Sequence, residues 1–167
     1  MSDFFYLASQ SPRRKEILDA LRAPYRLLNL VEGPGDNADF DETPIPNEPP
    51  THYVNRVSLL KASAAWRHLV DHRLPKAPVL TVDTTVTLDD KILGKPEDAE
   101  DARIMLQRLS GREHQVLTAV TMKQGGEIHQ TLSMTNVCMQ SLSESNIERY
   151  IQTAEPFGKA GSYGIQG

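Results

Sequence analysis

The chain has 167 residues, of which 39% are hydrophobic and 24% charged, and its formal net charge is −4. This length suits one domain or two small lobes, and the ordinary globular composition excludes a disordered chain. The acidic balance argues against general affinity for nucleic-acid backbones. The N-terminus lacks the basic start and long apolar run of a signal peptide, and no apolar stretch approaches the length of a membrane span. We therefore expect a cytoplasmic protein.

The first predicted elements are a strand, a tight turn and a helix. Residues 4–8 form a short aromatic and aliphatic run, which is typical of a buried strand. Ser11 is a good N-cap and Pro12 fits the first helical position, so a helix is predicted to begin there. Apolar residues at helical spacing over positions 17–21 are expected on its buried side. Residues 25–31 return as a second strand.

The middle of the chain alternates loop, helix and strand. Residues 32–50 contain five prolines and six acidic residues, which predicts a long surface loop. An apolar stripe from position 51 or 52 to about 72 predicts the longest helix. The β-branched run Val79–Leu88 is the clearest strand, and residues 89–90 form a turn after it.

The last third of the chain continues this alternation. The pattern predicts a helix over 97–109, two strands over 115–122 and 128–139 joined around Gly125-Gly126, and a helix from Ser143 to about Thr153. Alternating strands and helices predict an α/β fold with a mixed sheet.

The cysteine and histidine residues show no catalytic or metal-binding pattern. Cys138 is the single cysteine, which excludes an intramolecular disulfide and a cysteine-based zinc cluster. Its apolar-alternating surroundings predict a buried and inert thiol. His68 and His72 are four residues apart near the end of the long helix, where surface histidines are favoured by the helix dipole.

The segment Ser9-Gln10-Ser11-Pro12-Arg13-Arg14 is the strongest local signal for a ligand. A helix N-terminus presents unpaired N–H groups and a positive dipole end, which suit a phosphate. Ser9 and Ser11 add hydroxyl donors, and Arg13 and Arg14 add planar groups that can bind phosphate oxygens in pairs. A capped helix with two solvated arginines explains the same residues equally well.

Asp83 is the second signal, because it interrupts an apolar strand. Burying a carboxylate costs several kcal/mol unless it is paired or faces a site. We expect it to bind a divalent cation or to activate water, rather than to be satisfied only by neighbouring backbone or Thr84. An aspartyl-phosphate enzyme usually has a second aspartate two residues on, and here that position is Thr85.

Two lysines are weaker candidates. Lys61 lies within the long helix and Lys95 lies in Gly94-Lys95-Pro96, and each taken alone reads as a solvated surface lysine. Lys95 stands at a helix entrance, so it can direct its charge towards a phosphate.

Short motifs follow one another along the whole chain. They are Leu7 to Arg14 (Leu-Ala-Ser-Gln-Ser-Pro-Arg-Arg), Tyr53-Val54 through Arg56 to Lys61-Ala62, Val82-Asp83-Thr84, Gly94-Lys95-Pro96, Leu109-Ser110-Gly111 with His114 and Val116, and Lys159 to Gly167. In this order they resemble the Maf family of nucleotide pyrophosphatases, the septum-formation-inhibitor-like proteins. The resemblance covers residues 1–167 as a single domain.

The resemblance implies a fold and an activity. The fold is a mixed twisted sheet flanked by helices, related to inosine-triphosphate pyrophosphatase, with two lobes around a cleft. The activity is hydrolysis of a nucleoside triphosphate to its monophosphate and pyrophosphate. By the same resemblance Asp83 is the proton acceptor, and the phosphate-binding residues are Ser9, Arg13, Arg14, Lys61 and Lys95.

The resemblance also implies the base preference, the cofactor and the assembly. Arg13, Thr84 and Gln166 match the positions that set base preference, and the ending Tyr-Gly-Ile-Gln-Gly is similar to the branch that acts on dTTP and UTP. Mg²⁺ or Mn²⁺ is expected on Asp83, with Glu42 as the second carboxylate. A homodimer is suggested, with no nucleic acid or membrane as partner.

The loop over residues 32–50 is longer and more acidic than is typical of the family, and two further departures stand out. Gly158 replaces the usual aspartate before Lys-Ala-Gly, and the chain ends at Gly167 where family members continue with another strand and helix. These departures favour an alternative, a nucleotide-binding regulator of septation without turnover. A phosphomonoesterase, which releases orthophosphate, is a third reading.

Overall fold

A computed structural model of the protein describes residues 3–31 and 39–165. The strands are β1 (Phe5–Leu7), β2 (Tyr25–Leu27), β3 (Val79–Leu88), β4 (Lys91–Leu93), β5 (Glu113–Gln124) and β6 (Glu127–Cys138). The helices are α1 (Pro12–Ala20), α2 (Pro50–Asp71), α3 (Ala99–Leu109) and α4 (Glu144–Gln152), and a short 3₁₀ helix covers Ala160–Ser162.

The strands form a mixed sheet in the order β2-β1-β3-β5-β6, with β4 paired to β3. β1 runs parallel to both β2 and β3, whereas β4 is antiparallel to β3. The parallel pair β1–β2 is joined through α1, as parallel strands require a crossover. The predicted α/β class with a mixed sheet is therefore confirmed.

The chain divides into two compact units. The first comprises Met1–Glu48, His52–Asp83 and Ala119–Leu132, and the second comprises Pro49–Thr51, Thr84–Thr118 and Ser133–Gly167. A division into two units agrees with the two lobes expected, while a single domain over residues 1–167 stays a prediction.

The core of the first unit forms where α2 packs on β1 and β3. Ala64, Ala65 and Leu69 of α2 are buried in one cluster with Tyr6 of β1 and Val79 of β3. The two alanines allow the helix to approach closely, because their side chains end at Cβ. This packing fixes the position of α2 along β1 and β3.

The core of the second unit joins α3 and α4. Ala102 and Leu106 of α3 are buried in one cluster with Ile147 and Ile151 of α4. Both helices begin at a side-chain cap, since Asp98 accepts a hydrogen bond from Asp101 N and Ser143 accepts one from Asn146 N.

Several features differ from the sequence predictions. β2 covers only Tyr25–Leu27 instead of residues 25–31. β4 was not predicted, because it is only three residues long and follows the turn at Asp89-Asp90. α1 buries none of its residues, and Ile17 and Leu21 are 60% and 70% exposed. Cys138 is exposed on β6, so the prediction of a buried thiol is wrong.

Within the described ranges, no helix combines the length and the apolarity needed to cross a bilayer.

Candidate functional site

Asp83 lies in β3, where side-chain alternation places it on the same face as Thr81 and Thr85. All three residues are buried, and Asp83 is only 7% exposed. Burial raises the pKa of Asp83 above its ordinary value, partly offset by the charge and hydrogen bond of Lys61. A carboxylate with a raised pKa accepts a proton more readily near neutral pH than an ordinary aspartate does.

Lys61 of α2 joins two carboxylates. Its Nζ donates to Oδ1 of Asp83 at 2.7 Å and forms a second ion pair with Oε1 of Glu42. Only 13% of the Lys61 side chain is exposed, and its Nζ lies 5.5 Å from the centroid of the Phe40 ring. Lys61 is therefore not the solvated surface lysine that its position in the sequence alone suggests.

Glu42 comes from the segment before α2 and was the least certain residue from sequence alone. Its side chain is 14% exposed and meets Lys61 beside Asp83. The charge of Glu42 contributes to the raised pKa of Asp83. The structure thus brings together the two carboxylates expected to bind a metal ion.

Arg14 and Ser9 complete the group in the first unit. Nη1 of Arg14 donates to Oγ of Ser9 at 2.9 Å. Burial lowers the pKa of Arg14, and the negative charges of Asp83 and Glu42 counteract this. Because an arginine stays protonated in proteins, Arg14 supplies a fixed positive charge next to both carboxylates.

Ser11 and Arg13 are placed differently from Arg14. Ser11 stands at the N-cap of α1, but its side chain makes no capping hydrogen bond; instead its backbone N–H donates to Ser9 Oγ at 3.3 Å. The predicted side-chain cap is therefore absent. Arg13 is exposed at the start of the helix. Its predicted contact with a phosphate stays a prediction.

A network of buried hydroxyl groups links α2 to β3 at positions close in sequence to Lys61 and Asp83. Oγ of Ser58 lies 2.8 Å from Oγ1 of Thr121, and Oγ1 of Thr81 donates to the Ser58 carbonyl at 2.8 Å. Ser58 precedes Lys61 by about one helical turn, and Thr81 precedes Asp83 by one strand repeat. This network fixes the register of α2 on β3 and was not found by sequence reasoning.

The other predicted site residues lie in the second unit or outside the residues that the structure describes. Thr84 is half-buried, and its hydroxyl lies 3.1 Å from that of Thr118. Lys95 is exposed on the loop between β4 and α3. Gln166, predicted to set base preference, falls outside the described residues.

The C-terminal motif has a structural function in the second unit. The N–H of Gly161 donates to the carbonyl of Gly94 at 2.9 Å, which ties the tail to the Gly94-Lys95-Pro96 segment. Gly161 has φ +69°, and a Cβ there would lie 2.9 Å from the side chain of Val86. A side chain is therefore excluded by both backbone conformation and space.

A family model described as "Maf-like protein" matches residues 4–167. The chain belongs to the Maf-like family. A "dTTP/UTP pyrophosphatase" of Cupriavidus pinatubonensis is 49% identical over 167 residues, which are 100% of this chain and 82% of that protein. A "dTTP/UTP pyrophosphatase" of Chromobacterium violaceum is 48% identical over 97% of this chain and 78% of that protein.

The fold is also similar to a solved structure. The Staphylococcus aureus Ham1 protein aligns with a TM-score of 0.51 and 12% identity, over 80% of this chain and 70% of that one. At this identity the likeness concerns the fold alone, and it agrees with the α/β architecture of this Maf-like protein.

Proposed function

We infer that this Maf-like protein hydrolyses dTTP and UTP to their monophosphates and pyrophosphate. The observation that carries this inference is the match, near 50% identity, over 98–100% of this chain and 78–82% of proteins named dTTP/UTP pyrophosphatases. The buried group of Asp83, Lys61, Glu42 and Arg14 supplies residues with the chemistry that such a reaction needs. The protein is accordingly a hydrolase.

Asp83 is the proton acceptor in this proposal. It takes a proton from the attacking water, the oxygen of that water bonds to the α-phosphorus, and the bond to the β-phosphate breaks as pyrophosphate leaves. Lys61, at 2.7 Å, favours the ionised carboxylate, while burial keeps its proton affinity above that of a solvated aspartate. Asp83 is therefore more basic than a solvated aspartate, while Lys61 stabilises its charged form.

Arg14 and Ser9 bind phosphate oxygens in this proposal, together with Ser11, Arg13, Lys61 and Lys95. The Arg14–Ser9 hydrogen bond orients the guanidinium before substrate arrives. Preorganised donors stabilise developing charge without reorganising during the reaction. Arg13, Thr84 and Gln166 are proposed to select the base.

A divalent cation, Mg²⁺ or Mn²⁺, is proposed to bind at Asp83 and Glu42. Asp83 and Glu42 carry two negative charges in this group, and Lys61 and Arg14 carry two positive charges. Because these charges already balance, a bound triphosphate adds negative charge that the four side chains do not compensate. The described residues contain no group of three or more histidine, cysteine or acidic side chains suited to a metal. Asp83 and Glu42 would therefore hold the ion together with phosphate oxygens and water, as Mg²⁺ prefers. When bound, the cation neutralises charge on the phosphates.

A panel of nucleoside triphosphates tests the function. The panel contains dTTP, UTP, the other common nucleotides and modified pyrimidines, each with Mg²⁺ or Mn²⁺, and pyrophosphate and orthophosphate are measured separately. We expect pyrophosphate from dTTP and UTP above the rest, and release at least about 10²-fold slower from the Asp83→Asn control. Release of orthophosphate alone, or binding without turnover, contradicts the proposal.

A further inference from the structure

The segment that carries Glu42, residues 41–48, contains neither helix nor strand. We call it the Glu42 segment. Regular backbone hydrogen bonding therefore does not hold the Glu42 carboxylate beside Lys61 and Asp83. The position of Glu42 depends on what fixes the segment around it.

Arg56 of α2 contacts this segment at two places. Its Nε donates to Oε1 of Glu48 at 2.6 Å, and its Nη2 donates to Oε2 of Glu48 at 2.8 Å. Nη2 also donates to the carbonyl of Thr43 at 3.1 Å. A planar guanidinium is the side chain whose fixed geometry permits this combination of a paired carboxylate contact and a carbonyl contact.

Glu48 is integrated into a turn at the far end of the segment. Its N–H donates to the carbonyl of Ile45 at 3.0 Å, and its Oε2 accepts from Ile45 N at 3.3 Å. The hydrogen bonds from Arg56 lower the pKa of Glu48, which keeps this carboxylate ionised at neutral pH. The side chain of Glu48 is 9% exposed and that of Arg56 is 25% exposed, so the contact between them is partly buried.

Thr43 and Asp41 form a second turn, directly around Glu42. The N–H and the hydroxyl of Thr43 both donate to Oδ1 of Asp41, at 2.8 and 2.6 Å. Glu42 is the residue enclosed between them. Because Arg56 holds the carbonyl of Thr43, it holds the turn that aims the Glu42 side chain.

α2 therefore binds the Glu42 segment twice. Arg56 holds its backbone, and Lys61, about 7.5 Å further along the helix axis, holds the Glu42 carboxylate. We propose that Arg56 is a positioning residue, which keeps Glu42 in place beside Lys61 and Asp83 by fixing the Glu42 segment through Thr43 and Glu48. This inference rests on the proposed function, in which Glu42 and Asp83 bind the divalent cation.

Arg56→Lys is the first variant, because lysine keeps the charge but loses the paired contact. Glu48→Gln removes the same contact from the other side at nearly constant volume. Arg103→Lys is the matched control, since Arg103 also pairs with two carboxylates, Glu100 and Glu148, but in the second unit. Circular dichroism and melting temperature establish that each variant is folded.

Hydrogen exchange is the readout that does not depend on activity. The N–H groups of Thr43 and Ile45 are expected to exchange at least tenfold faster in Arg56→Lys and Glu48→Gln than in the wild-type protein. The N–H groups of α2 that precede Lys61 are expected to stay protected. Unchanged exchange at Thr43 and Ile45 overturns the positioning role.

A double-mutant cycle on kcat then tests whether Arg56 acts through Glu42. Arg56→Lys is expected to lower kcat for dTTP by about 10- to 100-fold, with a smaller change in KM, because a displaced group loses orientation more than affinity. In a Glu42→Gln background the same change is expected to cost less than twofold. Equal losses in both backgrounds overturn the proposal, because Arg56 would then act independently of Glu42.

Wild-type turnover separates this inference from the proposed function. If the wild-type protein releases no pyrophosphate from any triphosphate, the proposed function fails, while hydrogen exchange at Thr43 and Ile45 still decides whether Arg56 fixes the Glu42 segment. If the wild-type protein is active and the cycle is additive, the inference on Arg56 fails alone.

Discussion

The Nζ atom of Lys61 lies 2.7 Å from Oδ1 of Asp83, so a residue of α2 neutralises the buried carboxylate of β3. The same Nζ also pairs with Glu42. One ammonium group thus forms ion pairs with two carboxylates. A substitution at any one of the three residues therefore changes the charge balance around the other two.

Asp83→Asn keeps the shape of the side chain but removes the proton acceptor. We expect turnover of dTTP to fall by roughly 10²- to 10⁴-fold, which is typical of the loss of a general base. Because burial disfavours the charged form of Asp83, the melting temperature is expected to stay equal or to rise. Pyrophosphate release and thermal unfolding measure the two effects, and wild-type turnover in this variant rejects the assignment.

Lys61→Met leaves two carboxylates facing each other without their shared cation. We expect a loss of about 3 kcal/mol in the free energy of unfolding, the scale for a buried ion pair that loses one partner. Adding Glu42→Gln removes one of the two charges and is expected to restore part of that loss. Urea unfolding of the single and double variants measures both, and a double variant no more stable than Lys61→Met contradicts the shared-cation description.

Gly161→Ala places a Cβ 2.9 Å from Val86 at a residue with φ +69°. We expect the protein to lose about 2 kcal/mol of stability, from backbone strain and overpacking together. Val86→Ala removes the two Cγ atoms at 2.9 and 3.0 Å but keeps the Cβ at 2.9 Å, so it relieves only part of the overlap and none of the backbone strain. The double variant is therefore expected to be somewhat more stable than the sum of the two single losses predicts. Additive losses show that the methyl groups of Val86 are not the obstacle.

His114 makes stability dependent on pH. It is buried, its Nε2 lies 2.6 Å from the hydroxyl of Tyr163, and burial lowers its pKa below the ordinary value of 6.5. A folded-state pKa below that of the unfolded chain means that the contribution of His114 is complete above about pH 6.5 and is lost as the pH falls through the folded-state value.

Comparison with His114→Gln, which retains a polar side chain, isolates this effect. The wild-type protein is expected to lose more stability than this variant between pH 8 and pH 5. His129→Gln, a change at an exposed position on β6, is the control and is expected to follow the wild type. If the stability of all three proteins falls equally between pH 8 and pH 5, the role of His114 is contradicted.

Strong periodic patterns predicted the long elements well. The bounds of β3, Val79–Leu88, agree with the prediction because ten mainly β-branched and apolar residues leave no competing interpretation. β4 was missed because its signal depends on the turn before it. Asp89 and Asp90 both adopt positive φ, which brings the chain directly back onto β3, and such a conformation is not specified by two aspartates in the way that Asn-Gly specifies it.

For the candidate site, sequence found the charged residues but not what holds them. Asp83 was identified because a carboxylate in an apolar strand requires a partner, and the structure supplies Lys61. Ser58 and Thr121 escaped notice because a buried hydroxyl pair joins residues 63 positions apart, and no local pattern encodes that separation. Arg56 was noted only as part of a motif, since its partners lie in an irregular segment.

A pair of hydrogen bonds upstream of Glu42 also bears on how Glu42 is placed. The N–H of Val31 donates to Oδ2 of Asp39 at 2.7 Å, and the N–H of Asp39 donates to the carbonyl of Val31 at 2.7 Å. Arg67 of α2 holds the Asp39 carbonyl at 2.9 Å. The two ends of the intervening stretch are thus tied together before the chain reaches Glu42. The chain therefore enters the Glu42 segment from a point that Val31 and Arg67 together hold in place.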